Sequence, residues 1–279
     1  TRMKEPKRIL YVNSEIFPYL PQSRIADVGR FLPQGIQEAG KEIRVFMPRF
    51  GCVNERRNQL HEVIRLSGMN IGIGNSDYPL VIKVASISAV RMQIYFIDNE
   101  DFFHKKVVFE DAEGNFIAEN DLRAAFFARG VLETVKKLRW KPDIIHCNGW
   151  MSHLVPAYLK KSYKDDPIFA TTKIVVSLYN DHLDNHFDPT MRTRVQIPGT
   201  RAKELDLLIE PSGLNLAKQA LHYADGAILA DTDLPEDLTL YLSRIHIPVL
   251  DYIPTDDNPA SQYIKKYNSF YDKILKGNV

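Results

Sequence analysis

The sequence predicts an α/β fold: a Rossmann-like parallel sheet flanked by helices, with an inserted β flap. Apolar runs of strand length recur at residues 8–12, 43–47, 143–147, 174–178, 226–230 and 247–250. They are continuous rather than alternating, as in strands buried on both faces. Between most of them lie segments of helical period, the first with Ile25, Val28, Leu32 and Ile36 on one face and the second with Phe127, Val131, Val135 and Leu138. Strand and helix in alternation build a parallel sheet.

Taken in order, the first helix carries Pro33, which removes one hydrogen bond and crowds the carbonyl of Gly29, so a kink is expected there. Residues 62–99 differ from the rest. The segments 63–66, 80–87 and 91–98 read as strands with no helix between them, which predicts a hairpin or small antiparallel flap inserted in the sheet order. Residues 184–209 are polar and weakly periodic and read as a long loop or loose helical excursion, a kind of segment that often carries function. A closing helix is expected over 258–275, with Tyr263, Tyr267, Tyr271 and Leu275 spaced every four residues.

A chain of 279 residues that is 44% hydrophobic can bury a large core, and residues 1–279 are expected to form a single domain. Lysine and arginine number 36 against 35 aspartates and glutamates, so no global field draws the chain to nucleic acid or to an anionic membrane. The two cysteines, Cys52 and Cys147, are too few for a disulfide framework. They fit a reducing, cytoplasmic setting. No apolar run approaches the roughly 18 residues needed to span a bilayer, and the first residues lack an apolar signal core.

In open α/β sheets ligands bind beyond the carboxyl ends of the strands. That rule selects residues 13–27, 50–54, 146–152 and 179–186. In the third group His146, Asn148 and Trp150 combine two hydrogen-bonding groups with a flat apolar face, which suits a sugar; the same residues also suit a packed helix start over a satisfied core histidine. In the fourth, His182 and His186 have the i, i+4 spacing of helical zinc sites, with Asp181 and Asp184 nearby. Just after a strand and without a third clear ligand, the pair reads as a solvated loop, and no metal or cofactor is expected. The first group is a strand-to-helix turn without glycine. Pro21, Gln22, Ser23 and Arg24 stand where backbone N–H groups normally approach a phosphate. Arg24 faces the positive end of the helix dipole, a position that calls for an anion, either phosphate or carboxylate, unless the side chain simply lies along the helix in solvent.

Six segments, in order, resemble the N-terminal catalytic domain of bacterial glycogen synthases and plant starch synthases, family 5 glycosyltransferases of the two-domain GT-B type. They are Tyr11-Val-Asn-Ser-Glu-Ile-Phe-Pro18, Asp27-Val-Gly-Arg-Phe-Leu-Pro33, Arg44-Val-Phe-Met-Pro-Arg-Phe-Gly51, Ile94-Tyr-Phe-Ile-Asp-Asn99, Asn120-Asp-Leu-Arg-Ala-Ala-Phe-Phe127 and Pro142-Asp-Ile-Ile-His-Cys-Asn-Gly-Trp150. The carboxyl-end rule, the dipole argument and the resemblance together give the candidate substrate-binding residues Glu15, Arg24, Asp27, His146, Asn148, Trp150, Tyr179 and Asn180. The resemblance also exposes departures. The family's turn reads Lys-Thr-Gly-Gly-Leu-Gly-Asp, so its phosphate-binding lysine falls on Pro21 and its paired glycines on Ser23 and Arg24. Its donor-facing histidine falls on Tyr179 and an aspartate on Gly149.

The resemblance also implies a second Rossmann-like domain that supplies most of the nucleotide-sugar pocket, which residues 1–279 do not contain. Three functions follow as expectations. The first is a degenerate glycosyltransferase-like domain that binds α-glucan, a sugar or a nucleotide sugar. The second is an ADP-glucose or UDP-glucose α-1,4-glucosyltransferase completed by a separate C-terminal half. The third is a protein-interaction or homodimer module. No catalytic residue is assigned.

Overall fold

The computed structural model describes residues 4–277. Its centre is a nine-stranded sheet formed by β1 (Arg8–Asn13), β2 (Glu42–Pro48), β3 (His61–Glu62), β6 (Val81–Ile87), β7 (Met92–Asp98), β8 (Ile144–Asn148), β9 (Lys173–Leu178), β10 (Gly226–Leu229) and β11 (Val249–Leu250), in the order β11-β10-β9-β8-β1-β2-β7-β6-β3. From β11 to β7 every pairing is parallel. All six expected strand runs lie in this parallel part. The described helices include α1 (Arg24–Glu38), α2 (Glu100–Phe103), α3 (Asn120–Leu138), α4 (Val155–Lys161), α5 (Met191–Arg194), α6 (Gly213–His222), α7 (Glu236–Arg244) and α8 (Gln262–Lys276). No helix among the described residues is long and apolar enough to cross a membrane.

The expected antiparallel hairpin is present within the sheet order. β7 lies parallel beside β2 and β6 pairs antiparallel with β7, so both extend the central sheet. The reason is burial: Ile94, Phe96 and Ile97 are fully enclosed, which a solvent-facing hairpin could not achieve. Residues Ile64–Leu66, expected in a strand, form a 3-10 turn. A separate pair, β4 (Asn70–Ile73) and β5 (Ser76–Pro79), packs against α3. The excursion over 184–209 contains α5 and a 3-10 stretch, Ala202–Ile209.

Right-handed crossovers place α1 on one face of the sheet and the helices of the return direction, α3, α4, α6 and α7, on the other. The face of β8–β10 beside α1 is covered by α8, which packs on α1 and reaches β10, where Ile274 and Phe270 lie over Gly226. Pro33 sits inside α1 without ending it. The carbonyl of Gly29, which Pro33 cannot serve, accepts a 3.4 Å hydrogen bond from Asn13 Nδ2.

One polar chain crosses this apolar core. His146 on β8 is fully buried, with Nε2 2.6 Å from Ser177 Oγ and Nδ1 2.6 Å from Tyr271 Oη, which in turn donates to Tyr11 Oη at 3.1 Å. Ser177 donating to Nε2 and Nδ1–H donating to Tyr271 satisfies both ring nitrogens with one neutral tautomer. Burial pushes the imidazole pKa down to about 3, in keeping with that neutral form. Tyr271→Phe leaves Nδ1–H buried without a partner, and urea denaturation is expected to show a loss of about 1–3 kcal/mol. A wild-type stability in that variant would mean that the chain does not hold α8.

Candidate functional site

The strands β1, β8, β9 and β10 are neighbours, so the segments following their carboxyl ends meet at one edge. The turn after β1 is tied to the turn after β8: Ser14 N–H donates to the Asn148 carbonyl at 2.9 Å, and Ser14 Oγ accepts from Met151 N–H at 3.0 Å. Gly149 is required there. Its φ is +99°, and a Cβ at that position would stand 2.4 Å from Ser14 Oγ. Gly29 is required for a similar reason, since a Cβ would meet the Glu15 carbonyl at 2.4 Å where α1 crosses the turn.

The glycine-free turn itself is exposed from Pro21 to Arg24. Ser23 caps α1, its Oγ accepting the N–H of Ala26 at 3.0 Å. One of the N–H groups that a phosphate would use is therefore already bonded. Arg24 forms an ion pair with Asp231, which follows β10 and is 4% exposed. Asp231 Oδ2 also accepts the N–H of Asn180 at 2.6 Å, and Asn180 Nδ2 donates to Asp233 Oδ2 at 3.0 Å.

The sequence-selected residues divide by depth. Glu15, Arg24, Asp27 and Asn180 lie at the rim, each half-buried or exposed. His146, Asn148, Trp150 and Tyr179 are buried. Tyr179 Oη donates to Asn148 Oδ1 at 2.7 Å, so these two satisfy each other. Trp150 is 1% exposed, its ring enclosed by Phe109, Phe116, Phe187 and His182. The indole offers no free face for a sugar, and His146 is committed to the core chain. Burial thus favours the packing alternative for both side chains. His182 and His186 do not share a helix: the segment is irregular, and His182 has φ +53°. Among the described residues no group of three or more histidine, cysteine, aspartate or glutamate side chains is arranged to hold a metal.

Beside the turn opens a cleft of about 650 Å³ whose walls include Glu15, Tyr19, Pro21, Cys52, Phe109 and His182. One wall, residues 106–110, is held by a buried arginine at the start of α3. Arg123 donates to the carbonyls of Phe102 at 3.0 Å and Val108 at 2.7 Å and to Asn120 Oδ1 at 2.6 Å, while Asn120 Nδ2 donates to the Phe109 carbonyl at 2.9 Å. The Asn120-Asp-Leu-Arg123 segment therefore shapes the cleft without lining it. Sequence reasoning missed Asp231 and Phe109, and it selected the stretch 13–27 without singling out Tyr19. Asp231 follows an apolar strand, so the carboxyl-end rule extended to β10 selects it; Phe109 carries no local signal.

Burial, with a smaller contribution from the neighbouring Asp181 charge, pushes the Glu15 carboxyl up to about 7. Between the usual carboxylate range and pH 7 the unfolded chain ionises at Glu15 while the folded chain keeps its proton. Stability is accordingly lost as pH rises through that window. Glu15→Gln removes this penalty, and its stability relative to wild type is expected to improve by about 1–3 kcal/mol between pH 4.5 and 8. A difference between the two proteins that does not change with pH would contradict the assignment.

Comparison with known proteins agrees with the fold described above. Residues 8–238 match the starch synthase catalytic domain family. A glycogen synthase of Chlorobium luteolum is 38% identical over 174 residues, 62% of this chain and 36% of that protein. One from Chlorobaculum parvum is 34% identical over 220 residues, 78% of this chain and 44% of that protein. The chain thus spans less than half the length of these curated relatives. In fold it resembles the catalytic domain of starch synthase IV from Arabidopsis thaliana, solved with ADP and acarbose, with a TM-score of 0.71 at 15% identity over 92% of this chain and 54% of that one. With the family match running from β1 into α7, across the strands that build the crevice, the chain belongs to the starch synthase catalytic domain family.

Proposed function

We propose that this chain is a glycosyltransferase domain of the starch and glycogen synthase type whose crevice binds neutral α-glucan in preference to nucleotide. The observation that carries the reading is the start of α1. Its turn has no glycine, its first-turn N–H is capped by Ser23, and an open cleft with apolar and hydrogen-bonding walls lies alongside. Such walls suit sugar rings and hydroxyls, whereas the lysine and glycines of the resembled phosphate turn are substituted and one N–H at the start of α1 is already bonded. That the starch synthase IV structure holds both ADP and acarbose supports a crevice of this fold taking either class of ligand. Rim residues Glu15, Asp27 and Asn180 are the proposed polar contacts; Asn148, Trp150 and Tyr179 hold the floor.

The alternative is transfer of glucose from ADP-glucose or UDP-glucose by this domain joined to a second half. It is favoured by the length of the relatives, more than half of which lies outside the matched region. We propose the described residues as one folding unit in either case. Transfer catalysis needs preorganised charge at the leaving phosphate, and with Pro21 and Tyr179 in place of lysine and histidine little of it is present here.

Cys52 reports on the cleft, because it is exposed on the wall while Cys147 is buried. Maltooligosaccharide is expected to slow alkylation of Cys52 by iodoacetamide, and ADP at equal concentration is not. Protection by ADP alone would overturn the preference, and protection by neither would remove the glucan site. In the same preparation, radiolabelled ADP-glucose with glycogen should give no transfer above the rate without protein. Turnover that disappears on Asp27→Ala would establish the alternative.

A further inference from the structure

We infer that Asp231 is a specificity-determining residue: its carboxylate takes, as a built-in anion, the place beside Arg24 that a ligand phosphate would otherwise occupy, and so turns the crevice away from phosphate-bearing ligands. The inference rests on the crevice being a ligand site, and it assigns the rejection of phosphate to one residue that the sequence motifs did not mark.

The start of a helix beside the carboxyl ends of parallel strands attracts anions, because unpaired N–H groups and the dipole point outward there. A guanidinium at the first helical position is repelled by the same field unless a negative charge lies close by. Arg24 holds that position, and its side chain is 54% exposed. Among the described residues its ion-pair partner is Asp231, whose side chain is 2% exposed. Asp231 receives a cation on one oxygen and the Asn180 backbone N–H, at 2.6 Å, on the other. A cation joined to a backbone N–H is the donor set that recognises an oxyanion, and here the chain satisfies it internally.

The surroundings hold the carboxylate in place. Ile25, Tyr179 and Ala230 pack as a small buried apolar cluster, and each is the sequence neighbour of one member of the polar trio Arg24, Asn180 and Asp231. An incoming phosphate meets two obstacles. It must draw Arg24 away from a buried carboxylate, leaving that charge uncompensated, and it must then sit beside a like charge. A neutral sugar meets neither.

The test is isothermal titration of inorganic pyrophosphate into the purified chain. Asp231→Asn keeps the shape and an acceptor for the Asn180 N–H but removes the charge. Asp231→Ser is carried in parallel, so that a folded neutral variant, verified by its melting curve, is in hand. Wild type is expected to bind pyrophosphate weakly, and the neutral variants about ten- to hundredfold more tightly, the usual worth of a freed charge-assisted contact. Adding Arg24→Ala to either variant should abolish the gain. Equal affinity in wild type and neutral variants, or a gain that survives loss of Arg24, overturns the inference. Maltooligosaccharide protection of Cys52 is measured on wild type alone, so a failure of the glucan reading registers separately from the pyrophosphate result.

Discussion

The hydrogen-bonded chain from Ser177 through His146 and Tyr271 to Tyr11 is the interaction on which the rest of the structure hangs. A parallel sheet must be covered on both faces, and the return helices leave β8–β10 bare on the side of α1. Hydrophobic burial alone brings a helix to that face without choosing how it lies. The buried imidazole makes the choice, because only a helix presenting Tyr271 at one point satisfies it. With α8 anchored there, Ile264 packs against α1 at Gly35 and Ile274 over β10 at Gly226.

That arrangement governs the opposite edge of the sheet. With β1, β8, β9 and β10 locked in order, Ser14 bridges two turns, Tyr179 bonds Asn148, and Asp231 reaches Arg24. The crevice floor is thus built from side chains that satisfy one another. The rim and the adjoining cleft remain open, and the wall of the cleft depends on Arg123 holding three acceptors from inside the protein. Glu15 is where the two levels meet, a carboxyl desolvated by the floor yet open to the cleft.

The chain keeps the scaffold of its family, while at the start of α1 Ser23 caps one N–H and Arg24 pairs with Asp231. This arrangement is local. It requires a capping serine and one ion pair between residues that the fold already brings together, with no change in the sheet. On a retained fold, ligand preference can change through which polar groups are left unpaired.

The sequence by itself determined the strand runs, the helical faces of α1, α3 and α8, the loss of the glycine turn and the family, because each is written in local periodicity or in contiguous segments. It left open whether His146 and Trp150 face a ligand or the core, and whether β6 and β7 form a hairpin or a small flap in the sheet order. Only the tertiary structure decided these points. The partners concerned are distant in the chain: Tyr271 lies 125 residues from His146, and Phe109, Phe116, Phe187 and His182 close around Trp150 from separate segments. The ion pair of Arg24 and Asp231 belongs to the same class, since periodicity reports which face of an element is buried but not which residue of another element it meets there.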